Sequence, residues 1–298
     1  MKLRAGIVGS DKKAPTRLAT LHDLDDLVEV IGVADSERDR VVPSADVIFI
    51  DAPADERFSL AKKALAAGRH IFLEWPPASG LAEIEELAQM ADEAGVEIGV
   101  ARPFPISNLL ALRPPDWKPR IISIAISTTK SANGYNHGPA ATLQWTHRIA
   151  GAMDLCLALA GSRNATLVEG EAARGPGKAL TTVAFTLRFP SATIAHGLLS
   201  EHGIGNSESG TFHVNASDGG TRLSADAFEG PLTIEEIVRS KGSDAETILR
   251  REIPSQSDIH FETTAFLRAI SDGKPAPVSI HDGFHAMKLV EALFERIR

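Results

Sequence analysis

The sequence predicts an α/β chain of two domains: a parallel, helix-covered sheet first, then an α+β domain built on an open, mainly antiparallel sheet. Three observations predict it. Short apolar runs alternate with helically spaced stretches through the first hundred residues, the pattern of repeated strand–helix–strand units. Pro103, Pro105, Pro114, Pro115 and Pro119 then punctuate a loop region, as a domain boundary would. Beyond them, strand-like alternation takes over.

Taken in order, Leu3 to Val8 is an apolar run that stops at Gly9 and is followed by helical spacing around Leu18 to Leu24. Val28 to Ala34 is a second strand ending at Asp35, and Val47 to Ile50 a third. Phe58 to Ala67 has helical spacing, His70 to Leu73 is a fourth strand, Leu81 to Ala94 an acidic helix, and Val96 to Val100 a fifth strand. These elements make residues 1–104 a Rossmann-type domain. In residues 105–298, strands are expected at Ile121 to Thr128, Ala179 to Phe189, Ala192 to Leu199 and Thr211 to Asn215, with a helix over Met153 to Ala160. A last helix is placed to pack back on the first domain.

Composition narrows the function classes. With 298 residues, 43% of them hydrophobic, the chain is long enough for two sizeable cores. No apolar run approaches the length of a membrane span, and MKLRAGIVGS lacks the apolar core of a signal peptide, so a cytoplasmic protein is expected. The one cysteine, Cys156, rules out a disulfide within the chain and a cysteine-based zinc site, and it reads as a small core residue. A net charge of −8 without a basic block argues against nucleic acid as a partner. A small molecule or another protein remains.

The segment Ala66 to Gly80, AAGRHIFLEWPPASG, resembles the "aGkhvlvEKPla" stretch of the glucose-fructose oxidoreductase, inositol dehydrogenase and rhizopine-catabolism (Gfo/Idh/MocA) family. ADVIFIDAPADERFSLAKKALAAG is similar to the family's third strand running through its proline, here Pro53, into a helix. FHVNASDGGTRL resembles its strand–turn–strand with a glycine pair, and FETTAFLRAISDGKPAPVSIHDGFHAMKLVEALFERIR its closing segment. The resemblance implies a two-domain, NAD(P)-dependent oxidoreductase of sugars, cyclitols or similar small molecules. It also implies a dimer or tetramer assembled through the open sheet of the second domain.

Against that pattern the chain departs at chemically important positions. In GIVGSDKKAP, Gly6, Gly9 and Ser10 stand where the family binds its dinucleotide, but Asp11 replaces the next glycine and would face a pyrophosphate. Lys12 and Lys13 could offset that charge. Asp35, at the end of the second strand, could accept from a ribose 2′-hydroxyl and slightly favours NAD over NADP, whereas Arg38 and Arg40 could pair with a 2′-phosphate. Only about ten residues, SERDRVVPSA, lie between Asp35 and the third-strand segment, so one edge of the Rossmann sheet reads as trimmed.

The catalytic positions differ too. Where the family carries a lysine this chain has Trp75, which has no cationic head. Where the family carries an acid/base histidine the alignment places Gly151, with Asp154 after it and His147 one helical turn before. His147 and Tyr135 are therefore the candidate acid/base groups. Glu74, Trp75, Arg102, His137, Trp145 and Arg148 are the candidate substrate contacts, since aromatic faces and polar tips suit a sugar-like ring. His281 and His285 have chelating spacing but no third ligand identifiable from sequence, so no metal site is expected. Three readings stay open: an oxidoreductase with altered catalytic residues, a non-catalytic member acting as ligand sensor, regulator or assembly subunit, or a lyase or hydratase using the same cleft without net redox.

Overall fold

The computed structural model of the chain describes residues 2–9, 14–34, 42–102, 104, 107–114, 116–129, 139–202, 210–228, 232–239, 246–253 and 257–297. By compactness it divides into two units, the first Met1–Phe104 with Gln256–Phe284 and the second Pro105–Ser255 with His285–Arg298.

The first unit holds a five-stranded sheet in the order β2-β1-β3-β4-β5, with every pair parallel. Its strands are β1 (Leu3–Val8), β2 (Val28–Ala34), β3 (Val47–Ile50), β4 (His70–Leu73) and β5 (Ile98–Val100). VIFI in β3 is buried at every residue, and IFL in β4 likewise, as expected for central parallel strands covered on both faces. Helices α1 (Ala14–Asp23), α2 (Ala54–Ala66) and α3 (Leu81–Ala94) follow β1, β3 and β4. The helix α3 turns Ile84, Leu87, Ala88 and Ala91 inward at spacings of three and four. It stops at Gly95, whose φ of 65° suits a left-handed cap.

A further helix, α6 (Ser257–Ser271), completes this unit's core. Phe266 meets Phe72 at 5.2 Å between ring centroids and Phe49 edge-on at 6.4 Å. Gly99 in β5 makes room for it, since a Cβ there would lie 2.6 Å from the Phe266 ring.

The second unit is organised by an eight-stranded sheet, ordered β13-β12-β11-β10-β6-β9-β8-β7. The strands are β6 (Ile121–Thr129), β7 (Thr166–Arg174), β8 (Leu180–Arg188), β9 (Ile194–His202), β10 (Gly210–Ser217), β11 (Thr221–Phe228), β12 (Leu232–Arg239) and β13 (Glu246–Ile253). All neighbours are antiparallel except β6 and β9, which run parallel. A parallel sheet followed by a mainly antiparallel one is the architecture expected from the sequence.

Helix α4 (Ser107–Ala111) is short, and α5 (Pro139–Ala160) lies against β6 and β9. It begins well before the expected Met153, with proline at a first-turn position where a missing N–H costs little. Cys156 is fully buried in it, and burial pushes its thiol pKa up. The last helix, α7 (Ile280–Arg296), has its first turn in the first unit and the remainder in the second. Along β9 burial alternates: Ala195 and Leu199 are buried, while Ile194, His196 and Leu198 face outward. One face of the sheet is thus core and the other open. Among the described residues no helix is long and apolar enough to cross a membrane.

Candidate functional site

In a parallel sheet the loops after the strands share one edge, and a ligand crevice forms where the strand order turns back on itself. Here that point lies between β1 and β3, because β2 is on one side of β1 and the later strands are on the other. Gly6 is inside β1, at a register irregularity against β2. Gly9 follows β1 with φ of 115°, and a Cβ on it would sit 2.2 Å from the Asp51 carbonyl oxygen and 2.6 Å from its carbon. Only glycine lets the chain leave β1 this close to the end of β3. The Asp51 N–H donates to the Val8 carbonyl at 3.0 Å, fixing the approach.

Pro53 ends this segment and leads into α2, its carbonyl accepting the N–H groups of Glu56 at 3.0 Å and Arg57 at 3.2 Å. Arg57 is 5% exposed and gathers three carbonyl oxygens from two loops. Its Nε donates to Ala52 at 2.7 Å, and its Nη1 donates to Pro76 at 2.6 Å and Glu74 at 3.3 Å. The segments after β3 and β4 are thereby tied together.

Glu74 follows β4, yet its side chain is only 2% exposed. Its carboxylate accepts from Arg17 of α1, whose guanidinium is buried, stands 3.5 Å from Asp51 and donates to the Thr263 hydroxyl at 2.7 Å. The same cation lies 4.8 Å from the centre of the Phe72 ring and 5.3 Å from that of Phe49. Glu74 therefore braces the interior of the first unit. Trp75 is half-buried, close to Gly283 and Pro77, and its bond to Pro76 is cis. Arg102 follows β5, with its backbone N–H donating to the Glu262 carboxylate at 3.1 Å. Four expected positions, Gly9, Pro53, Trp75 and Arg102, thus stand after four strands on one edge of the sheet.

In the second unit α5 brings Trp145, His147 and Arg148 together. Trp145 is buried and Arg148 lies over its ring at 4.9 Å. Arg148 Nη2 donates to the Thr128 hydroxyl at 2.8 Å, and its Nη1 stands 3.8 Å from the Glu201 carboxylate. Thr128 and Glu201 are register partners in β6 and β9, so Arg148 fastens α5 across the parallel pair. Burial pulls its pKa down, while Glu201 acts the other way. His147 is half-buried beside it, and Gly151 and Asp154 are buried one and two turns further on. Ser10, Asp35, Tyr135 and His137 lie outside the described residues. Among the described residues no group of three or more histidine, cysteine or acidic side chains is arranged to hold a metal ion.

Sequence reasoning missed Arg17 and Arg57. A signal for Arg17 was present, because Ala14, Arg17 and Leu21 fall at helical spacing on the buried side of α1. For Arg57 there was none, since its partners are main-chain atoms.

Residues 39–102 match the sequence model of the oxidoreductase family with an NAD-binding Rossmann fold, GFO_IDH_MocA. Over that stretch the chain is similar to the Gfo/Idh/MocA family. The match to this family covers β3 through β5 and leaves out β1 with its departing loop. A 58-residue segment is 45% identical to the D-xylose dehydrogenase of Paenarthrobacter nicotinovorans, covering 20% of this chain and 15% of that enzyme. An NAD-binding oxidoreductase from Klebsiella pneumoniae shares the fold with a TM-score of 0.81 at 16% identity, over 100% of this chain and 97% of that one. A 3-ketoreductase from Actinomadura kijaniata, solved with NADP and TDP-benzene, shares it with a TM-score of 0.67 at 17% identity, over 100% and 98% of the chains. At the β1–β3 crevice Gly9 removes the side chain that would block the approach of the two strand ends.

Proposed function

We propose that the protein is an NAD(P)-dependent oxidoreductase of a sugar, cyclitol or similar small molecule, with catalytic residues altered from the family pattern. The observation that carries this reading is the Gly9 turn at the point where the parallel sheet changes direction. In it, Gly6, Gly9, Ser10 and Pro53 hold the dinucleotide and Asp35 meets the adenosine ribose, so that NAD is preferred. A nicotinamide cofactor, when bound, exchanges a hydride with the substrate carbon. His147 or Tyr135 then handles the proton at the substrate oxygen. Trp75, Arg102, His137, Trp145 and Arg148 are the substrate contacts of this reading, and Glu74 acts by bracing the loop that carries Trp75. The likeness of one segment to a D-xylose dehydrogenase supports a sugar-like substrate. The expected compartment is the cytoplasm.

A second reading is favoured by Trp75 and Gly151, which leave the family's lysine and histidine positions without a group that can carry a proton. In this reading the protein binds a ligand as sensor, regulator or assembly subunit without turnover. Fluorescence titration with NADH and NADPH separates the two. Micromolar binding, tighter for NADH, is the result expected of the oxidoreductase; no binding at millimolar cofactor would overturn it and leave the second reading.

Either reading includes a homo-oligomer assembled on the open face of the eight-stranded sheet. Ile121, Ile194 and Leu198 lie there 46%, 37% and 48% exposed, on neighbouring strands. Light scattering on the eluting protein is expected to return two or four chain masses, and a single chain mass would remove this part of the proposal.

A further inference from the structure

A cavity of about 650 Å³ lies within the second unit, lined by the start of β7, the end of β8 with the turn after it, and one side of α7. Its charge is unlike that of the chain as a whole. The protein carries a net −8, yet Arg163, Arg188, Lys288 and Arg296 all line this cavity and no aspartate or glutamate does. The α7 contributions, His285, Lys288, Leu289, Ala292 and Arg296, follow spacings of three and four, so one helical stripe presents them together.

The cations differ in how they are held. Arg296 is anchored, its guanidinium donating to the carbonyls of Val168 at 2.9 Å and Leu167 at 3.2 Å. Arg188 and Lys288 form no ion pair or side-chain hydrogen bond among the described residues. Glu291 and Glu295 are also on α7, but neither lines the cavity. Arg188 and Lys288, without a counter-charge among the described residues, repel like charges beside them, and a bound anion relieves that repulsion. Pro190, Leu289 and Ala292 add apolar wall. The volume falls within the range of small-molecule sites, roughly 300–1,000 Å³, and is larger than an inorganic anion needs.

We propose that this cavity binds an organic pyrophosphate, its phosphates held by Arg188, Lys288 and Arg296 and its organic part lying on the wall of Pro190, Leu289 and Ala292. Guanidinium and ammonium groups make charge-assisted hydrogen bonds to phosphate oxygens, and Arg offers two at once. The site is separate from the strand-end crevice of the first unit and stands or falls independently of the oxidoreductase reading.

The test is calorimetric titration of the full chain with inorganic pyrophosphate at low ionic strength, where exposed charges are least screened. Arg188→Glu/Lys288→Glu is compared with the charge-matched control Lys118→Glu/Arg120→Glu, all four positions being exposed. The expected result is saturable binding to the wild-type chain and the control, weakened about tenfold or more in the cavity variant. Absence of saturable binding at millimolar pyrophosphate overturns the proposal. So does equal affinity in the cavity variant, or an equal loss in the control.

Discussion

Replacing Arg17 by methionine is expected to lower unfolding stability by about 3–5 kcal/mol, the cost of leaving a buried ionic partner uncompensated. Arg17 is 1% exposed, and the carboxylates of Glu74 and Asp51 beside it are 2% and 1% exposed. Methionine would roughly fill the volume, but it would take this buried cation from both acids and the donor from the Thr263 hydroxyl. Since whole domains are stable by only about 5–15 kcal/mol, urea denaturation should show a large shift in midpoint. Adding Glu74→Leu to Arg17→Met should recover part of the loss, as one buried carboxylate is removed together with its cation. A single-variant change below about 1 kcal/mol, the size of an exposed pair, would mean that the cluster is solvated rather than structural.

The second large effect is expected of Gly9→Ala. A φ of 115° is strained for any L-residue, and the new Cβ would meet the Asp51 carbonyl and the Ala52 nitrogen, at 2.2 Å and 3.0 Å. Those are main-chain atoms at the end of a buried strand and cannot swing aside. Backbone strain of about 1–3 kcal/mol and a similar overpacking cost should destabilise the first unit by roughly 2–6 kcal/mol in all. The ends of β1 and β3 would have to separate, so NADH affinity of the folded protein should fall at least about tenfold. Urea unfolding and cofactor titration on the same preparation check both. Unchanged affinity in a destabilised but folded variant would move the dinucleotide away from this turn.

The sequence was most legible where burial is complete or strictly periodic. The third and fourth strands and the helix Leu81–Ala94 have the expected bounds, because a run buried on both faces and a helix with one apolar stripe each leave a strong pattern. Strands β7, TLVEGEAAR, β12, LTIEEIVR, and β13, ETILRREI, went unread. The first and last are sheet edges, and in β13 adjacent Ile248 and Leu249 are 58% and 47% exposed, so apolar and polar positions do not alternate with burial. The start of α5 was also missed, because Pro139 and the mixed residues after it hide a helix that its packing on β6 and β9 supports.

At the candidate site, glycine and proline positions could be read because their constraint is local to the backbone. Glu74 and Arg148 could not be read in the same way. Their burial against Arg17 and against Glu201 with Thr128 comes from partners remote in sequence, which no local pattern announces.

Arg57 bears on how such a chain changes. It grips the loop after β4 through the carbonyl oxygens of Glu74 and Pro76, and the loop after β3 through that of Ala52. Every residue type supplies a carbonyl, so this tether is blind to the side chain displayed between its two anchor points. Position 75 is therefore a socket whose frame persists when its contents are exchanged. A lysine introduced at Trp75 would be presented on the backbone that now carries the indole, and chemistry at that position can be gained or lost without refolding what surrounds it.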